Sequence, residues 1–239
     1  GGQVQADNAG TATFTDLVIT GSVSSQVSIS FFVEFTNNNS VFTTVSSAVS
    51  AVTLTPGTAT QLRIDDASQS VANRSTLSAL VIDLLDAEGN IVNNRTDDIS
   101  VSIGSGSGAT LVGTDALSFT AGASSPAQLT FNNLSMQGTV GSYRLDFESD
   151  QAGIASVSHD VTLTHGVATS LSISQIASTA LSGINIANQP EITIVDADNN
   201  TVLTGATASA SISAAVSGTG YAIARTGVDL SGVASLSAT

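Results

Sequence analysis

The chain has no cysteine, no lysine and no tryptophan, only three prolines, and 10% charged residues. Without cysteine there are no disulfides, thiolate metal ligands or Cys nucleophiles, and the redox compartment is left unmarked. Stability must then come from sheet packing. Without lysine there are no Lys–Asn isopeptide cross-links, so cohesion between units is expected to be noncovalent. Basic charge is scarce, with five Arg against nineteen acids and a net charge of -14. That is the wrong sign for a phosphate backbone, which argues against nucleic acid as a partner. No apolar run reaches the length of about 18 residues that a membrane-spanning helix needs. The Gly1-Gly2 start carries no basic, apolar leader, so a mature product or a fragment is expected.

What the chain does contain is 41% hydrophobic residues, mostly Val, Ala, Leu and Ile scattered among Ser and Thr. That mixture favours β structure over disorder. One stretch occurs twice. Val52-Thr53-Leu54-Thr55-Pro56-Gly57-Thr58-Ala59-Thr60-Gln61-Leu62 returns 109 positions later as Val161-Thr162-Leu163-Thr164-His165-Gly166-Val167-Ala168-Thr169-Ser170-Leu171. Each copy reads as a short alternating strand, a Gly-centred break and a second strand, the form of a hand-over between β domains. A period near 109 suits a whole β-sandwich domain and is too long for one unit of a solenoid.

Phased on those junctions, residues 1–56 read as closing strands, 57–165 as one complete period and 166–239 as the opening strands of another. Thr11-Ala12-Thr13-Phe14 and Gly21 match Gln128-Leu129-Thr130-Phe131 and Gly138. Val27, Ile29 and Phe31 match Tyr143, Leu145 and Phe147, an alternation that puts one set of side chains in a core. The Asn-rich insertion 36–41 is expected to be a loop. The complete period is expected to hold strands at 61–64, 78–85, 91–92, 99–103, 110–112, 117–120, 128–136, 142–148 and 156–164. Many short strands with Gly, Ser, Asn and Asp between them predict an all-β, antiparallel sandwich. Its core is expected to include Leu80, Ile82, Ile103, Phe131, Leu145 and Phe147. In the third segment Asp196 to Val202 repeats Asp86 to Val92, Ile212 falls opposite Ile103, and 232–236 echoes 10–14.

A Gly-x-Ala-Thr-x-Leu-x-Ile start resembles the bacterial Ig-like repeats of large surface adhesins of the invasin/intimin type. So do a Val-x-Asp-x-x-x-(Gly/Asn)-Asn-x-Val hairpin, a Phe-x-x-Leu strand and a Gly-x-Tyr-x-Leu-x-Phe strand. The resemblance is a pattern of turns and core positions and includes no catalytic motif. It implies tandem Ig-like sandwiches, an extracellular or cell-surface location, and a role as stalk or adhesive array.

The candidate chemistry is sparse. Asp83, Asp86, Glu88 and Asn90, with Asp196, Asp198, Asn199 and Asn200, gather the oxygen ligands that calcium takes. The spacing is not that of an EF-hand, and Asx and Gly residues also make tight hairpins without an ion, the alternative favoured by the spacing. Asp65-Asp66, just after a junction, is a second calcium candidate against a solvated loop. No other cofactor is expected. His159 and His165 occupy no nucleophile elbow or other catalytic context, and a structural role is expected. Gly104 to Gly108 lacks the Lys and the helix of a phosphate cradle and reads as a loop. Asn-x-Ser/Thr sequons begin at Asn38, Asn73, Asn94, Asn133 and Asn199. Asn38, Asn94 and Asn199 are the loop positions where glycosylation would be accessible.

These features point away from an enzyme and towards a structural subunit or segment of an extracellular fibre or stalk. The alternative is an adhesin segment that binds a glycan or protein through its loops, although exposed aromatics, the usual binding anchors, are few. The segments at the two ends are complementary. The expectation is that the 166–239 half of one chain is completed by residues 1–56 of the next, head to tail, or by neighbouring repeats of a longer chain.

Overall fold

The computed structural model describes residues 4–23, 26–37, 40–46, 51–120, 128–174, 176–203, 212–214 and 236–238. The first segment holds strands β1 (Gln26–Val27), β2 (Phe31–Asn37), β3 (Ser40–Ser46) and β4 (Val52–Thr53). The second begins with β5 (Ala59–Ile64), β6 (Gln69–Ala72), β7 (Leu80–Asp86), β8 (Asp98–Ser105) and β9 (Ala109–Val112). It continues with β10 (Ala116–Ser118), β11 (Gln128–Phe131), β12 (Ser135–Gly138), β13 (Gly141–Ser149) and β14 (Val157–Thr164). The third holds β15 (Ser170–Ile173), β16 (Ile192–Val195), β17 (Ile212–Ala214) and β18 (Leu236–Ala238). Among the described residues there is no helix, and the fold is all-β.

Residues 57–165 carry the main core. One sheet runs β10-β8-β13-β14-β6, a second runs β11-β7-β5, and β12 pairs with β9 in a ribbon. In β14 the inward side chains His159, Val161 and Leu163 are buried, and Ser158, Asp160, Thr162 and Thr164 between them are exposed. That alternation gives the five-stranded sheet one apolar face. The face meets the second sheet through Phe147 of β13 and Phe131 of β11, whose rings lie edge to face at 5.4 Å. Leu80, Ile82 and Leu145 are fully buried around them, an arrangement compatible with a β-sandwich. Ile103, expected in the core, is only half-buried and packs on its margin.

Three expectations need correction. The sheets are not wholly antiparallel, because β6 pairs in parallel with β14 and β17 with β18. The first of these has a simple course. Gln61 in β5 bridges Ala155 in parallel, and Gln69 in β6 pairs with Val161. The chain thus follows 155–164 in one direction and changes sheet across residues 65–68, where the broken alternation concealed β6. Second, the 128–136 stretch is two strands in different sheets, β11 and β12, with Asn132 and Asn133 between them. Third, the 36–41 insertion is largely ladder, with Thr36 opposite Val41 and Asn37 opposite Ser40. Asn38 itself lies outside the described residues.

The internal repeat survives in register. Leu62 faces Leu84 and Ile64 faces Ile82, while Leu171 faces Ile194 and Ile173 faces Ile192. In the first segment the Phe14 and Phe31 rings meet tilted at 5.3 Å, the counterpart of Phe131 and Phe147. Phe14 and Phe31 are half-buried, whereas Phe131 and Phe147 are 1% and 0% exposed. The difference has a cause: Phe131 sits on β11, which pairs with β7, and residues 10–17, its counterpart, form no strand.

Candidate functional site

The residues singled out as oxygen ligands form two copies of one hydrogen-bonded clip. In the first, Asp86 ends β7 and is 1% exposed. Its Oδ1 accepts the N–H of Glu88 at 3.0 Å and of Asn90 at 2.8 Å. Its Oδ2 accepts the N–H of Gly57 at 2.8 Å and the Asn90 Nδ2–H at 2.9 Å. Asn90 then reaches the first segment: its Nδ2 donates to the Gly21 carbonyl at 3.1 Å and its Oδ1 accepts the Val23 N–H at 2.8 Å. A side-chain amide so placed imitates a strand's peptide group.

The second clip repeats the first. Asp196 Oδ1 accepts the N–H of Asp198 and of Asn200, each at 2.9 Å, and its Oδ2 accepts the Gly166 N–H at 2.8 Å. Asn200 Nδ2 donates to Asp196 and, at 2.8 Å, to the Gly138 carbonyl, and its Oδ1 accepts the Val140 N–H at 3.0 Å. Gly21 and Gly138 adopt the same backbone, φ +145° and +134°, which favours glycine. The turn inside each clip also needs a left-handed residue, Gly89 in one and Asn199 in the other, at φ 82° and 63°.

The second clip has further members. Asn73 is 5% exposed. Its Nδ2 donates to Asp196 Oδ2 at 2.9 Å and Asp198 Oδ2 at 2.6 Å, and its Oδ1 accepts the Gly138 N–H at 3.0 Å. Arg74 holds Asp198 through two bonds, Nε at 2.8 Å and Nη2 at 2.7 Å. Arg74 stands at φ 67°, an uncommon backbone for a side chain of this size. Sequence reasoning passed over Asn73 and Arg74, except as a sequon. Gly57, Gly166, Gly21 and Gly138 were visible as repeated glycines, without their partners.

The electrostatics follow from these bonds. Burial pushes the Asp86 carboxyl up, but the donors of Asn90, Gly57 and Glu88 outweigh it and hold the group below the usual carboxylate range. For Asp196 burial again opposes, and Asn200, Gly166 and Asn73 lower the value much further. The Asp198 carboxyl is held low first by Arg74 and then by Asn73. N–H groups thus occupy the acceptor positions of Asp86 and Asp196, as in an Asx turn. Glu88 is exposed on the surface. Among the described residues no three His, Cys, Asp or Glu side chains converge as metal ligands.

The remaining candidates lie elsewhere. Asp83 is bound by Arg63 Nη2 at 2.5 Å and by Gln128 Nε2 at 2.8 Å. Asp65 faces Arg63 Nε at 3.3 Å, whereas Asp66 accepts the Val81 N–H at 3.1 Å, so the pair diverges. His159 is buried in the main core and His165 lies at the second junction, where its Nδ1 is 3.1 Å from the Gly166 carbonyl. Gly106 to Gly108 make the β8–β9 turn, packed on Tyr143, whose hydroxyl donates to the Ser107 and Thr139 carbonyls at 3.0 and 2.6 Å. Asn94 and Asn199 are exposed. Asn133 is bound to Thr114, and Asn73 is used by the clip.

No protein-family model matches the chain, and no curated protein matches it. Among solved structures, a crystal structure of a β-glycosidase from Bacteroides vulgatus matches at 13% identity with a TM-score of 0.30. The match covers 54% of this chain and 21% of that one. The chain thus spans about a fifth of that enzyme's length.

Proposed function

We propose that the chain is a structural segment of an extracellular fibre or stalk, built from tandem Ig-like β-sandwich domains of about 109 residues held end to end without covalent links. The observation that carries this reading is the clip at Asp86–Asn90 and again at Asp196–Asn200, each fastening the start of one unit to the Gly-x-Val turn of the unit before it. A joint made of part-buried hydrogen bonds that share donors and acceptors resists bending, which is what a spacer requires. Tyr143, with its hydroxyl bonded four residues back to Thr139, supports the Ig-like assignment, since such sandwiches use a tyrosine to brace this corner. On this reading the role is non-catalytic: Asp86 and Asp196 serve the joints and His159 sits in the core. A surface location and assembly with further copies or neighbouring repeats belong to the same reading.

The test is stiffness. Because the chain has no cysteine, spin labels at Ser118→Cys and Ser172→Cys, both exposed positions, report one distance across the second joint. A narrow distribution, broadened by Asn200→Ala, is expected. A broad distribution in the unaltered chain rejects a rigid stalk.

A further inference from the structure

Among the described residues, His159 is the one core side chain that buries a polar atom without a hydrogen-bond partner. The ring is 4% exposed and its Nε2 meets no donor or acceptor. β5 runs beside β14 at Ala155, where Gln61 bridges it, and β6 runs beside it from Val161, opposite Gln69. His159 lies between those two points, so the 65–68 crossing passes alongside it. Asp66 fastens that crossing, its Oδ2 accepting the Val81 N–H at 3.1 Å. Beyond the crossing the β6–β14 ladder ends at Asn73, whose N–H donates to the Thr164 carbonyl at 2.8 Å. The same Asn73 holds Asp196 and Asp198 across the second joint. The charged groups about the ring are few. Burial disfavours a charge on it, and Asp66 and Asp160 favour one. On β13 its partner in register is Leu145, and the flanking Arg144 and Asp146 are turned to the outer face, where Asp146 binds Arg144 and Ser158. Tyr143 is occupied by the Ser107 and Thr139 carbonyls. β6 carries no charge, and across the core Arg63 of β5 is paired with Asp83 of β7 and with Asp65.

We infer that His159 is an acid-operated release for the second joint: a proton on the ring displaces the 65–68 crossing, which slackens β6 and with it the hold of Asn73 on Asp196 and Asp198. This deepens the rigid-joint reading above and rests on it. A charged ring needs an acceptor or water. Asp160 points to the opposite face of the sheet, and Asp66 can turn to the ring only by leaving the Val81 N–H. One flank of β14 is a continuous ladder with β13, from Gly141 to Phe147. The other flank is interrupted between Ala155 and Val161, and that is the side that yields. In the opened state the ring returns to its ordinary 6.5, whereas the closed state holds it lower. Opening therefore takes up protons as pH falls below 6.5. Between the two values the open fraction rises by up to about tenfold per pH unit.

The labels at Ser118→Cys and Ser172→Cys, recorded in the full chain from pH 8 to pH 5, stay above the window in which carboxylates titrate. The distance distribution should broaden below pH 6.5 and stay narrow in His159→Leu. Asp66→Asn keeps an acceptor for Val81 but removes the pull of the carboxylate, so its broadening should move to lower pH. His165→Gln, at the junction itself, should leave the profile unchanged. Hydrogen exchange at the Asn73 amide gives a readout that needs no stiffness. Compared at the same pH below 6.5, it should be faster in the parent than in His159→Leu, by up to about tenfold for each pH unit. A parent distribution that stays narrow down to pH 5, broadening that persists in His159→Leu or vanishes in His165→Gln, or equal Asn73 exchange in the two chains overturns the release. A distribution already broad at pH 8, with the faster Asn73 exchange still present, sinks the rigid stalk and leaves the release of Asn73 standing.

Discussion

Asn73 Nδ2 lies 2.9 Å from Asp196 Oδ2, a buried bond between residues 123 positions apart. The amide has no spare capacity there, since it also serves Asp198 and the Gly138 N–H. Asn73→Ala strips the donor from two carboxylates and leaves the half-buried Gly138 N–H without that acceptor. Loss of such partners destabilises by about 1–3 kcal/mol. Denaturant unfolding should show that loss with an unchanged slope, and an Asn73→Ala chain as stable as the parent would remove Asn73 from the joint.

The core makes a larger demand. Phe147 is wholly buried against Phe131, and Phe147→Ala should destabilise by about 3–5 kcal/mol. Phe31→Ala should give a much smaller loss in the isolated chain, because Phe31 is half-buried. Equal losses in the two variants would show that the first segment is covered as completely as the second.

That comparison shows what could be read from the residues. Period-2 alternation located β13 and β14 and all but one of the named core residues, because a sheet with one wet face writes its register into every second position. The repeat matched 57–64 to 166–173 and 86–92 to 196–202, and the β5–β7 pairing recurs as β15–β16. What escaped notice was non-local. Nothing in Gln69 to Ala72 announces a parallel partner ninety-odd positions away, and Asn73 looks like an ordinary sequon until Asp196 is brought beside it. The acidic turns were noticed as oxygen-rich, but it is three-dimensional structure that shows their oxygens turned on backbone N–H groups.

Glycine at position 138 is required twice over. Its φ is +134°, and a Cβ there would meet the Gly108 carbonyl oxygen at 2.2 Å. Gly21 shares the backbone, at φ +145°, but has open space. Gly21→Ala should therefore cost about 1–3 kcal/mol from backbone strain alone, and Gly138→Ala distinctly more. Thermal melts of the two variants in parallel decide the order, and a milder effect at Gly138 contradicts the close approach.

Acid should weaken the fold in two stages. Burial holds His159 below its ordinary 6.5, against the pull of Asp66 and Asp160. The unfolded chain therefore binds more protons than the folded one just below pH 6.5. Stability is full above that value and declines as pH falls towards the folded value. Asp97, held low by Arg95, and Asp196 act in a lower window. Their contribution is full above the ordinary carboxylate value of 3.8 and is lost as pH falls below it. His159→Leu should abolish only the upper stage in a series of melts from pH 8 to pH 3. A profile unchanged by that substitution would mean that another group titrates there.

Calcium provides the last discriminating measurement, because the two clips are the oxygen-rich turns of the chain. A calcium site needs six to eight oxygens at 2.3–2.6 Å. Here four N–H donors already converge on Asp86, and Asp196 takes a fifth group, the Asn73 amide. To bind the ion, each aspartate would have to surrender bonds that hold Asn90 and Asn200 against the preceding segment. Calcium and a chelator should consequently leave the melting temperature within error of each other. If calcium instead raises it in a manner lost in Asp86→Asn or Asp196→Asn, the clips exchange their N–H donors for the ion, and the joints are metal-tuned.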